Sequence, residues 1–349
     1  MFGILFKLGL LPLLYIIITE KQKNFIHRLV FLTKLRQKSN FEKDYVKFFL
    51  KEVVDLIRLS NGHQFDYVAA SGSLGYDGTG WWFKKILNWL IKPKLFIAVG
   101  KTVTRFKEKG NFRWWNPLGC VKFLRGPNGL LDFIGVINAV ALRNPGIEWL
   151  VKKVGPKISR KKLKLIASVY FKSETEMLEI AEMLNGMDLV AVEVNISCSN
   201  ILASPFWHGP EAIVQNCREL KKVLRHPIIL KISVEHEVEQ FLPQLRGVVE
   251  AISINSVRWR LIFPKKKSPL ARFGGGGVSG KVTQPIVWPF IMDIVRQTRI
   301  PVIGSAIWDY GDMAAVRRMG AKAVSFGSVF MPYPWRPASF VKKEMEKKK

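Results

Sequence analysis

The sequence is short of acid. Aspartate and glutamate number 27 against 55 lysines and arginines, a formal charge of +28 over 349 residues. That excess goes beyond what solubility requires and favours anionic surfaces, either nucleic acid or phospholipid headgroups. Cysteine is scarce as well: Cys120, Cys198 and Cys217 stand far apart with no Cys-x-x-Cys pair. This excludes a disulfide framework and a cysteine-rich zinc site, and it fits a reducing compartment. No uncharged apolar stretch reaches the ~20 residues of a spanning helix. Tandem repeats and low-complexity linkers are also missing.

What is present begins with an apolar N-terminus. Residues 8–18 are apolar or aromatic apart from one glycine and one proline, and charged residues follow directly instead of a small-residue cleavage site. Phe25, Ile26, Leu29, Leu32 and Leu35 then recur at helical spacing with cations between them. Residues 1–45 are therefore expected to form a helical extension, lying on an anionic membrane surface at its cytoplasmic side or packed on the flank of the main domain. The amphipathic, tryptophan-rich stretch 81–91 is expected to face the same surface.

Beyond residue 60, short β-rich apolar runs alternate with helix-compatible stretches. The runs are 67–70, 95–101, 163–170, 189–195, 227–233, 249–255, 301–304 and 323–327. Eight strands with intervening helices predict an α/β fold, a (β/α)₈ barrel, over 46–340. Ser173 is placed to cap a helix over 174–184. The gap between Lys101 and Leu163 is too long for one crossover, so an inserted loop or hairpin is expected over the barrel mouth. The lysine-rich tail 341–349 is expected to lack order.

In such barrels chemistry gathers at the carboxyl ends of the strands. Those ends carry Ser71, Lys101, Asn195, Lys231, Asn255, Ser256, Ser305, Gly327 and Ser328, which are amide, ammonium and hydroxyl groups without a carboxylate. Asparagine offers paired donors and acceptors to an imide or ureide edge, and lysine stabilises developing negative charge. The set suits a planar polar ring rather than a metal. The run Gly274 to Gly280 and the last two strand ends have the parts of a phosphate cradle.

Ala70-Ser71-Gly72, Gly100-Lys101-Thr102, Asn138 with Asn144-Pro145-Gly146, and Asn195-Ile196-Ser197-Cys198-Ser199-Asn200 occur in order, continued by Lys231, Asn255-Ser256, Gly280 and Gly327-Ser328. Over residues 65–332 the chain resembles the dihydroorotate dehydrogenases. The resemblance implies FMN across the barrel mouth, with its phosphate near Gly280, Ser305, Gly327 and Ser328. Ala70, Ser71, Lys101, Asn195 and Lys231 would touch its ring and ribityl chain. It further implies dihydroorotate and orotate as ligands of Lys101, Asn138, Asn195, Asn200, Asn255 and Ser256. Cys198 would take the C5 proton while hydride passes from C6 to flavin N5, in pyrimidine biosynthesis. Clustered lysines favour the thiolate that such a base needs.

The match departs in places. Ser199 replaces the family's proline, Ser305-Ala306 replaces adjacent glycines, and an insert follows Gly110-Asn111. In this family a cysteine base accompanies fumarate or an NAD-linked partner subunit, whereas an N-terminal helical pair accompanies quinone. The chain combines both signs, and a homodimer is allowed. Two other readings are an FMN-dependent tRNA-dihydrouridine synthase, for which the charge would suit RNA, and a degenerate membrane-bound barrel without catalysis. The asparagines argue for a free pyrimidine and against nucleic acid.

Overall fold

A computed structural model describes residues 56–80, 88–113, 115–197 and 205–347. All of these belong to one unit, Asp55–Lys349. The helical extension expected over 1–45, and most of the tryptophan-rich stretch, lie outside the described residues.

The described chain opens on a small antiparallel pair, β1 (Ile57–Arg58) and β2 (Gln64–Phe65). Then come β3 (Tyr67–Ala69), β4 (Ile97–Val99), an antiparallel hairpin of β5 (Val121–Arg125) and β6 (Phe133–Asn138), β7 (Leu165–Val169), β8 (Ala191–Asn195), β9 (Ile228–Ile232) and β10 (Ala251–Ile254). The series ends with β11 (Val257–Arg258), β12 (Gly277–Gly280), β13 (Val302–Gly304) and β14 (Ala323–Phe326). Strands β3, β4, β7, β8, β9, β10, β13 and β14 close into a parallel barrel. Each of them falls within one of the eight runs picked from the sequence, so the (β/α)₈ expectation holds.

Apolar side chains on the outer faces of the strands take up the helices. The helix Glu174–Asn185 buries Met177, Ile180, Ala181 and Leu184, and Ser173 caps it by accepting from Glu176 N. Pro210–Val223 buries Ile213, Val214, Cys217 and Leu220. Both stripes follow the three-four spacing of a helix that lies on a sheet.

Inside the barrel, side chains two residues apart on a strand point the same way. Ile166, Ala191, Ile229, Ala251, Ile303 and Ala323 form an apolar floor together with Ile57 and Phe65 of the first hairpin. Two residues further along the same strands come Ser168, Glu193, Lys231, Ser253, Ser305 and Ser325. The interior therefore changes from apolar to polar within one layer, just below the mouth.

The insert between β4 and β7 is the expected hairpin. It joins β11 and β12 in a four-stranded antiparallel sheet ordered β11-β12-β6-β5. Gly277 pairs with Asn138 across β12 and β6, which brings the end of the hairpin to the barrel mouth. Among the described residues no helix is long and apolar enough to cross a membrane.

The tail departs from expectation. The last helix runs Arg336–Lys347 and buries Pro337, Ala338 and Val341. Glu344 accepts from the Tyr67 hydroxyl at 2.6 Å and pairs with Arg317 at 3.3 Å. Tertiary contacts order a segment that lysine content alone marks as solvated.

Candidate active site

A pocket of about 190 Å³ opens at the carboxyl ends of the barrel strands. Ser71, Lys101, Asn138, Asn195, Lys231, Asn255 and Ser256 line it. A smaller hollow of about 20 Å³ adjoins it through Lys231 and is lined by Ala70, Glu193, Ser253, Ser305 and Ser325. Nine residues singled out from the sequence thus converge on two neighbouring spaces. Cys198 and Asn200 lie outside the described residues, but Ser197, which Cys198 follows in the chain, is buried and lines the pocket.

Internal bonds set the polar groups. The Asn195 amide donates through Nδ2 to Thr102 Oγ1 at 3.0 Å, and its Oδ1 accepts from Ser197 Oγ at 2.6 Å. Ser71 Oγ donates to Gly100 O at 3.0 Å. Asn255 reaches Ser197 O only at 3.5 Å, the edge of hydrogen-bond range. The Asn138 and Ser256 side chains have no hydrogen-bond partner among the described residues, so both can turn to a ligand.

Backbone adds an acceptor site for an anion that the side-chain reading missed. Ala141 and Leu142 both have positive φ, at 56° and 54°. Asn144 is buried and pins their turn, donating to Leu142 O at 2.7 Å and accepting from Gly146 N at 2.8 Å. Val140, Ala141 and Leu142 all line the pocket, and their N–H groups have no partner among the described residues. Successive unpaired N–H groups on such a turn form a concavity for a carboxylate or similar anion. Charge agrees, since the pocket wall carries Lys101, Lys231 and Arg258 against Glu235, which pairs with Arg258 at 2.7 Å.

Part of the glycine run expected to cradle phosphate, Gly277–Gly280, is strand β12 of the covering sheet. A Cβ at Gly277 would come within 2.5 Å of Ser256 Oγ, and one at Gly276 within 2.8 Å of Asn138 O. These glycines let the backbone close on two pocket residues. Gly280 likewise packs without space, since its Cβ would meet Gly135 Cα and the Trp308 ring at 2.7 Å.

Space does remain at the ends of β13 and β14. A Cβ at Gly327 would meet only Ala70 Cβ at 3.6 Å, and Ser328 starts a short turn right after it. The N–H groups of Ser305, Ala306 and Ile307 have no partner among the described residues. Open space beside Ala70, free backbone donors and serine hydroxyls form a donor set that fits a phosphate-bearing cofactor whose ring reaches Lys231. Ala306 has φ 63°, a left-handed conformation that costs an alanine more than a glycine.

The strand ends named from the sequence hold no carboxylate, but one lies a layer deeper: Glu193 sits two residues inward of Asn195, buried at 3% exposure. Its signal in the sequence was a lone acid in an otherwise apolar, parallel-sheet strand, a position that demands partners.

The model of the family described as dihydroorotate dehydrogenase matches residues 84–348. The chain belongs to this family. A relative from Caldicellulosiruptor saccharolyticus, the catalytic subunit of dihydroorotate dehydrogenase B (NAD(+)), is 30% identical over 269 residues, covering 75% of this chain and 83% of its own. The corresponding subunit from Methanocaldococcus jannaschii is 30% identical over 56% of this chain and 66% of its own. Dihydroorotate dehydrogenase A (fumarate) of Lactobacillus delbrueckii subsp. bulgaricus is 32% identical, also over 56% and 66%. Membership of the dihydroorotate dehydrogenase family makes the chain an oxidoreductase, and the pocket lies where such a barrel holds its active site.

Proposed function

We propose that this chain oxidises dihydroorotate to orotate with FMN in pyrimidine biosynthesis. The observation that carries the reading is the convergence of Lys101, Asn138, Asn195, Asn255 and Ser256 on one pocket, with Lys231 at its floor and an anion-binding turn at its rim. Amides and a hydroxyl suit the ureide edge of the ring, while the turn at 140–142 suits its carboxylate. Asn200 is assigned to the same ligand. Ala70, Ser71, Lys101, Asn195, Lys231, Gly280, Ser305, Gly327 and Ser328 would hold FMN.

Cys198, the residue next after Ser197 in the chain, is assigned to take the C5 proton as a thiolate. Lys101, Lys231 and Arg258 favour that anion over the neutral thiol. Lys231 supplies positive charge beside the ring that accepts electrons, and the covering sheet keeps bulk water from the reacting carbons. FMN, when bound, supplies the two-electron acceptor for the C6 hydride.

For the oxidant, the two kinds of relative support an NAD-linked partner subunit or fumarate. Membrane association through residues 1–40 rests on their sequence, and quinone remains its corollary to test. Purified protein should take up FMN and lose its yellow colour under dihydroorotate, and Cys198→Ala should keep FMN yet fail to bleach. A protein that binds no FMN would leave the degenerate-barrel reading standing. Reoxidation assayed with fumarate, a soluble quinone and an NAD-linked reductase subunit should be fastest with one of the non-quinone acceptors.

A further inference from the structure

Glu193 bonds to more than one strand. Its Oε1 accepts from Ser168 Oγ at 2.9 Å and faces Lys231 Nζ at 3.4 Å, while Oε2 accepts from Ser253 Oγ at 2.9 Å. A carboxylate in a barrel interior is strongly disfavoured unless it is paired and hydrogen-bonded. Here a lysine and two serines satisfy it.

The Ser168 bond continues outward. Ser168 Oγ is 2.8 Å from Thr102 Oγ1, and Thr102 Oγ1 accepts from Asn195 Nδ2 at 3.0 Å. Each hydroxyl has one proton. Because the Ser168 proton goes to the carboxylate, a bond between the two hydroxyls has Thr102 as donor; Ser71 Oγ at 3.2 Å is a second acceptor for the Thr102 proton, and with either one Thr102 accepts from Asn195. The chain is polarised in one direction, Asn195 to Thr102 to Ser168 to Glu193. An ionised carboxylate accepts and cannot donate, so its charge favours this direction, which agrees with the Ser197 N–H that donates to Asn195 Oδ1 at the other end.

We propose that Glu193 is a positioning residue that supports two ligand-facing groups at once: it holds the Lys231 ammonium at the pocket floor, and through Ser168 and Thr102 it anchors the Nδ2 side of the Asn195 carboxamide, whose Oδ1 is held by the Ser197 N–H at 3.2 Å. In Glu193→Gln the terminal amide can donate as well as accept, so the chain can reverse and Thr102 Oγ1 then turns its proton toward Asn195 Nδ2, which loosens the amide on that side while Ser197 N–H keeps Oδ1 in place. The ligands assigned to these groups rest on the function proposed above, whereas the ion pair and the chain do not.

The test separates the two arms. In ligand-free protein, Glu193→Gln should lower the urea midpoint, and adding Lys231→Met should recover part of the loss, because the double variant buries no charge; additive losses would overturn the pairing. If Glu193→Gln alone does not fold, the double variant compared with Lys231→Met still gives the sign of the coupling. In FMN-loaded enzyme, Ser168→Ala cuts the chain and keeps the Glu193–Lys231 pair, so KM for dihydroorotate should rise ~3- to 10-fold while FMN affinity falls less than in Glu193→Gln. Glu193→Gln should weaken FMN binding as well. An unchanged KM in Ser168→Ala would overturn the chain. A wild-type protein that takes no FMN would defeat the dihydroorotate reading, and the urea cycle would still decide the ion pair.

Discussion

Asn195 on β8 and Thr102 just beyond β4 are joined at 3.0 Å across the barrel mouth, with the amide as donor. The bond spans two strand ends, between which β7 lies in the barrel order. Thr102→Val keeps the shape and removes the acceptor, leaving Nδ2 of a buried asparagine unpaired. We expect KM for dihydroorotate to rise and stability to fall by about 1–3 kcal/mol. Urea melts and steady-state kinetics together check this, and a variant with wild-type KM would show that the amide is set by other contacts.

Ala306 offers a gain of stability. Its φ of 63° lies in the left-handed region, where an L side chain is strained. Ala306→Gly relieves that strain but frees the unfolded backbone, and the balance should still favour the variant by about 0.5–1 kcal/mol. Its carbonyl accepts from Gln284 Nε2 at 2.9 Å, which holds the conformation in place. FMN should bind at least as tightly, since the N–H groups of the loop lose a neighbouring methyl. A lower urea midpoint would contradict the argument.

The contrast between these positions shows how far the sequence could be read. The eight strands were legible because a parallel sheet covered on both faces leaves continuous apolar runs. Lys101, Asn195 and Asn255 were legible because polar residues at strand ends stand out against those runs, whereas Asn138, at the end of the inserted hairpin, was legible only through the family resemblance. Glu193 and Ser168 were harder, since their partners are on other strands and only barrel closure brings them together. The turn at Ala141 and Leu142 was not legible, because its donors are backbone groups and its residues are not glycine. The packing role of the glycines of β12 was not legible, because a glycine run looks the same whether a ligand or another strand approaches it.

His236 gives the protein an acid-side dependence. Burial lowers its pKa from the ordinary value of 6.5, against a backbone bond at Ser233 and the nearby Glu235 carboxylate. Its Nδ1 accepts from Ser233 N at 3.1 Å in the neutral form. Below about pH 6.5 the unfolded chain binds a proton that the folded chain resists, so this contribution is complete above that pH and is lost as pH falls. One proton allows a slope of at most about 1.4 kcal/mol per pH unit. His236→Asn keeps an acceptor near Ser233 and removes the titration, so its stability between pH 7 and pH 5 should decline less steeply than that of the wild type. Parallel slopes in urea melts would assign the acid sensitivity elsewhere.

Cys217 and Cys198 should separate cleanly under alkylation. Full burial pushes the Cys217 thiol up to about 12, and burial also raises Cys120. Neither forms appreciable thiolate near neutral pH, and the thiolate is the reactive species. Iodoacetamide on the native protein should therefore label Cys198 first, with loss of flavin bleaching in step with that label. Peptide mapping that finds Cys217 labelled at the same rate would reject the assignment.

The C-terminal helix should come loose through one carboxylate. Arg317 bonds Asp66 at the start of the barrel and reaches Glu344 at 3.3 Å, while the Tyr67 hydroxyl donates to Glu344 at 2.6 Å. Burial, then that hydrogen bond, raises the Tyr67 phenol far above its ordinary range, so it remains a donor at any working pH. Glu344→Ala removes the carboxylate that accepts from the Tyr67 hydroxyl and pairs with Arg317. The cost should be about 1–3 kcal/mol, and it falls on a helix whose apolar anchors are few. Trypsin should then cut at Lys342 and Lys343 well before the barrel unfolds. Glu344→Gln, which retains one acceptor, should be intermediate in both the urea midpoint and the cleavage rate. Equal behaviour of the two variants would mean that charge, and not hydrogen bonding to Tyr67, holds the helix against the barrel.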